Sequence, residues 1–212
     1  MVRRVRPNFT QVVRALIRDV AKTMPEFAHV RPARILVVAG EARRASRGTV
    51  KPLAFDGAKS RDRQGRHKPV VRINGRRMLY CITLRPLFFR ASTAETRVAT
   101  ILHELYHASR RFDGTLSRTR RHATLGNRFA LRLRPLVRQY LKRCPAELYA
   151  QLAYDGEVRM LQWLERPGPA LPPEHAHVRR VYTEEQLFTG TVRMVTRRTR
   201  PVRGPRTSGR IQ

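Results

Sequence analysis

One segment restricts the fold of this chain more than any other: a capped helix with two unlike faces. Ser92-Thr93-Ala94-Glu95 has the Ser/Thr-x-x-Glu pattern of a helix N-terminus. Directly after it, apolar residues recur at helical spacing, predicting a helix over about 93–110. At about 100° per residue, Val98, Ile101, Leu102, Leu105 and Ala108 fall on one stripe. His103 and His107 stand one above the other on roughly the opposite side, with Glu104 beside them. Such a helix needs an apolar layer beneath its stripe and leaves its two imidazoles free for chemistry.

Two imidazoles one turn apart can bind a single tetrahedral Zn²⁺. The metal would acidify a bound water, and Glu104 is placed to take its proton as general base and return it to a leaving amine. A catalytic zinc ordinarily has three protein ligands and one open position. His122 is the first choice for the third, because a loop after the motif helix can bring it back before a new helix begins. Asp113 is the alternative. It stands six residues after His107, the offset used by His-Glu-x-x-His-x-x-Gly-x-x-His enzymes, although Arg110 occupies the position of the turn glycine. Glu147 and Glu157 are weaker rivals on a later predicted helix, and His29, His67, His175 and His177 receive no role.

The rest of the chain reads as an α+β fold. A helix over 8–24 has Val12, Val13, Leu16, Ile17 and Val20 at helical spacing and Pro25 as its stop. Strands are predicted over 34–39 and 77–84, with a long basic loop or loose hairpin over 41–75 between them. Further helices are predicted over 127–143, bent at Pro135, and over 145–166, broken near Asp155-Gly156. One domain is therefore expected over 1–166, with a Pro-rich linker over 167–175 and a basic extension over 176–212. Thr183-Glu184-Glu185-Gln186 would cap one short helix there, and the chain from Arg193 onward reads as a disordered basic tail.

Charge narrows the partners. Lys and Arg number 45 against 15 acidic residues, a formal +30, so the chain is drawn to polyanions, nucleic acid first. The basic loop and the tail over 193–212 would make the phosphate contacts. Cys81 and Cys144 form neither a disulfide framework nor a Cys-x-x-Cys zinc site. No stretch approaches the roughly 20 apolar residues of a membrane span, and a cytoplasmic location is expected.

From Leu79 to Phe129 the chain resembles the phage-type metallopeptidase family, related in pattern to SprT-like zinc proteases. The matching features are the strand ending at Leu84, the helix through His103 and His107, Phe112-Asp113-Gly114, and His122 in an Arg-rich turn. The spacing of His122, Gly126 and Phe129 is similar to the SprT-like order, except that Ala123 and not Gly follows the His. The resemblance implies a zincin-like fold, with a small sheet packed on the His-Glu-x-x-His helix and further helices C-terminal. It also implies His122 as third ligand, and a protein or peptide substrate, with proteins bound to DNA as candidates. Two other functions compete with a peptidase: a zinc-dependent nuclease or other hydrolase using the same site, and a non-enzymatic nucleic-acid-binding protein.

Overall fold

A computed structural model describes residues 6–40, 46–175 and 180–196. Helix α1 (Phe9–Thr23) begins where Asn8 accepts a hydrogen bond from the Gln11 N–H and ends before Pro25. Its apolar face, Phe9, Val12, Val13, Leu16, Ile17 and Val20, is buried. Strand β1 (Ile35–Ala39) follows, then β2 (Gly48–Pro52), β3 (Val70–Ile73), β4 (Arg76–Arg77) and β5 (Tyr80–Leu84). After the short α2 (Pro86–Arg90) comes α3 (Ala94–Tyr106), which carries the histidines. The chain goes on through α4 (His122–Leu125), α5 (Arg128–Leu141, with Pro135 inside it) and α6 (Ala146–Leu152). Strands β6 (Gly156–Trp163), β7 (Val181–Tyr182) and β8 (Leu187–Met194) complete it.

The main sheet has the order β2-β5-β1-β6-β8. β1 runs parallel to β5 and β6, whereas β2 and β8 lie antiparallel at the two edges. α1, α3, α5 and α6 cover one face with the larger core, from Phe9 through Val98 and Ile101 to Met194. The small sheet β4-β3-β7 covers part of the other face, around Leu36, Val38, Val71, Cys81 and Tyr182. Because both its faces are covered, β1 is buried at all five positions, and β5 is more completely buried than one-sided alternation over 77–84 anticipates.

Four expectations need correction. Residues 156–163 form a strand: Val158 and Met160 are buried while Glu157 and Arg159 are exposed, a period of two that the preceding helix masks. The domain does not stop at 166, because β8 pairs with β6 from Leu187↔Trp163 to Met194↔Gly156. Residues 167–175 do not separate two bodies. His67 and Leu171 exchange backbone hydrogen bonds of 2.8 and 2.7 Å, and Lys51 Nζ donates to the carbonyls of Pro167 and Gly168. The Thr183–Gln186 capping box is made, but it closes only a single 3₁₀ turn that leads into β8. Of the expected basic tail, 197–212 lies outside the described residues, as do 41–45 of the basic loop.

Buried Arg97 ties the C-terminal strand to α3. Its guanidinium donates to the carbonyls of Phe88, Phe89, Leu152 and Tyr154 and to Thr196 Oγ1. Burial pulls its pKa down to about 10.

Candidate metal centre

The N-cap of α3 is Thr93, whose hydroxyl accepts from the Thr96 N–H at 3.2 Å, one residue later than the Ser92 box predicts. Ser92 instead donates to Leu87 O, and Glu95 accepts from the Tyr149 hydroxyl. The predicted apolar stripe holds: Val98, Ile101, Leu102, Leu105 and Ala108 are all at most 2% exposed. α3 ends at Tyr106 with His107 as its C-cap, so both histidines sit in its final turns.

The chain then doubles back. Ser109 N–H donates to Thr115 O, and Ser117 N–H donates to His107 O at 2.9 Å. The turn between them is clamped by Tyr80, whose hydroxyl donates to Thr115 O and accepts from the Gly114 N–H. Gly114 has φ +86°, and a Cβ there would lie 2.5 Å from that of Ala54, so only glycine fits. Asp113 belongs to this turn. Its carboxylate accepts from the Thr115 N–H and hydroxyl, bonds that hold its pKa below the usual carboxylate range although desolvation pulls the other way.

The returning segment delivers His122 at the first residue of α4. His103 Nε2 lies 3.2 Å from His107 Nε2 and 3.1 Å from His122 Nε2, and all three ring nitrogens fall within 4.8 Å of one another. Ligands at roughly 2.0–2.1 Å from a tetrahedral ion stand about 3.3 Å apart, close to the spacings of His103 from the other two rings. Asp113, Glu147 and Glu157 are not in this group; Glu147 is exposed, and Glu157 pairs with Arg6 at 2.7 Å. The Tyr80 and Tyr140 hydroxyls are engaged elsewhere, the second by Asp19.

Three neighbours tune the cluster. His107 Nδ1 donates to Arg120 O at 2.8 Å, which leaves Nε2 as the lone-pair nitrogen facing the other rings. The Arg120 guanidinium donates to Glu26 and stacks 4.2 Å from the centre of the Tyr106 ring. Buried Phe129 packs against all three imidazoles at 4.2–4.9 Å. Desolvation and the two neighbouring imidazoles pull the His103 pKa down to about 4; desolvation also lowers that of His107. Both rings are therefore neutral, as metal ligands must be.

Glu104 lies under β2. A Cβ on Gly48 would come within 3.1 Å of Thr100 Cγ2 and 3.2 Å of Glu104 Oε1. Burial lifts the Glu104 pKa to about 7, opposed by the Val50 backbone N–H and the Arg85 charge. A hollow of about 650 Å³ lined by Ala99, His103, His122, Phe129 and Leu133 opens beside the cluster.

The sequence pattern of the putative phage metallopeptidase family matches residues 9–135. The chain belongs to that family. Membership assigns it to the metallopeptidases, which act on proteins or peptides, and the three-histidine group is one that could hold a metal ion. No curated protein and no solved structure matches the chain.

Sequence reasoning overlooked β2, Glu26 and Arg120, and saw Phe129 only as part of a spacing. β2 left a faint trace, the β-branched pair Thr49-Val50 closed by Pro52 inside a basic stretch. The link from Glu26 to Arg120 spans 94 residues and leaves no local signal.

Proposed function

We propose that this protein is a zinc-dependent peptidase with His103, His107 and His122 as the metal ligands and Glu104 as the general base. The observation that carries the reading is the convergence of three imidazole nitrogens, two of them from the helix that also holds the buried Glu104 carboxylate. Three nitrogens without a thiol suit zinc and leave one coordination position open. When bound, the ion supplies Lewis acidity to a water and to the scissile carbonyl.

The chain's own groups do the rest. Among the described residues β2 is a sheet edge, paired only with β5, so an extended peptide can add to it as a further strand. Gly48 lets that strand approach Glu104. The Glu104 carboxylate takes the proton of the attacking water and passes it to the departing amine nitrogen. With a pKa near 7 in the metal-free protein, it is suited to both transfers. Phe129 packs over the half-buried His103 and His107 rings, while His122 stays exposed on the open side.

A nuclease or a non-enzymatic nucleic-acid binder has only the net charge of +30 behind it. That charge still supports a salt-dependent attraction to nucleic acid as a secondary property.

The test is zinc content together with cleavage of an unfolded protein and, separately, of nucleic acid, for wild type and Glu104→Gln. Bound zinc in both, with protein cleavage lost in the variant alone, is the expected result. Absence of zinc from the wild type, or full activity in Glu104→Gln, overturns the reading. A His122→Ala variant should lose the metal, and Asp113→Ala should keep it.

A further inference from the structure

Next to the centre lies a second and larger hollow, of about 1380 Å³, which the reaction itself does not use. One wall is the end of β2 and the segment after it, from Pro52 to Lys68; the other is the returning segment, from Ser109 to Arg121. Both walls therefore begin at the reaction centre. Pro52 is the last residue of the strand beside Glu104, and Arg121 immediately precedes His122.

The lining is strongly cationic. Some of its charges are satisfied internally: Arg66 pairs with Asp62, Arg110 with Glu26, and Lys68 donates to the carbonyls of Pro52 and Ala54. Among the described residues, the exposed side chains of Lys59, Arg61, Arg63, Arg111, Arg118 and Arg121 have no ion-pair or hydrogen-bond partner. Six unpaired cations around one concavity repel each other, and anionic groups of a ligand relieve that repulsion.

We propose that this groove receives acidic side chains of the protein substrate, so that the enzyme selects peptide bonds close to Asp- and Glu-rich segments. This rests on the peptidase reading above. A chain laid along the free edge of β2 and continued past Pro52 enters the groove, so carboxylates a few residues from the scissile bond meet the free cations. A hollow at the end of a peptide track suits a few extended residues better than it suits a duplex, which needs an open path along its backbone. The cations then set specificity and encounter rate, and Glu104 and the metal site set the chemistry.

The experiment uses the full zinc-loaded chain and a proteome-derived peptide mixture, with cleavage sites mapped by mass spectrometry. Asp and Glu should be enriched on one and the same side of the cleaved bonds. In the Glu104→Gln background, a labelled Glu-rich peptide should bind about tenfold tighter than its Gln-rich counterpart, the sum expected of two or three exposed ion pairs. That ratio should fall toward one in Arg61→Glu/Arg63→Glu/Arg118→Glu, and partway in the milder Gln triple variant. Cleavage without acidic enrichment, or equal binding of both peptides, overturns the proposal and leaves the peptidase reading standing. So does tight binding of a duplex oligonucleotide that the same substitutions abolish while the acidic peptide shows no advantage, which assigns the groove to nucleic acid. Failure to cleave any peptide overturns both.

Discussion

At His107 a single proton decides what the cluster can hold. Its Nδ1–H is committed to the Arg120 carbonyl, so its other nitrogen is free to bind a metal. His103 stays neutral down to about pH 4, and zinc should be released as the pH falls far enough to protonate the ligand imidazoles, measured by competition with a chromogenic chelator. Glu104 behaves in the opposite sense. Its folded pKa lies above the unfolded value of 4.5, so the metal-free protein loses stability as pH rises from 4.5 through about 7, where the folded carboxyl ionises. His103 makes the opposite contribution, gaining stability over about pH 4–6.5, so the two partly cancel in wild type. Replacing Glu104 with Gln removes one side of that balance. After chelator treatment, Glu104→Gln should match wild type near pH 4.5 and exceed it by up to about 3 kcal/mol above pH 7 in urea unfolding. Equal stability at both pH values would show that Glu104 is not a buried ionising carboxyl.

Among the elements, the pairing of β2 with α3 and the return of the 109–121 segment place the chemistry. Gly48→Ala should push Glu104 aside, lowering kcat about tenfold or more while zinc content stays unchanged, as a displaced base requires. Glu26→Gln should loosen Arg120, and with it the carbonyl on His107, and cost about 10–100-fold in zinc affinity, read by competition with the same chelator. The helix, its apolar stripe and the convergence of His122 with His103 and His107 were legible in the sequence because periodicity and spacing are local signals. β6 was not, because Val158 and Met160 directly follow the helical run of α6 and the alternation is short. β2 was not, because an edge strand with three partly buried residues hardly alternates at all. The bonds from Thr115 that hold Asp113, in a turn clamped by Tyr80, could not be foreseen from an offset of six residues.

Across the whole molecule, Arg97 links what the sequence seemed to divide. Substituting it with Leu leaves three buried carbonyls, the half-buried Tyr154 carbonyl and Thr196 without their cation and should destabilise the fold by about 3–5 kcal/mol, measured by urea unfolding. A chain ended at Arg166 lacks β8, exposes β6 along its whole length and should fail to show a cooperative thermal transition. The same connection gives the protein a timetable. A ribosome that has finished Pro135 has already made every residue matched by the family and all three histidines. The Arg97 pocket is still incomplete then, because Leu152, Tyr154 and Thr196 have not been made, and the sheet lacks β6 and β8. The histidine-bearing helix therefore gains its last Arg97 partner only after some sixty further residues have been translated, which makes its final seating a late step of folding on the ribosome.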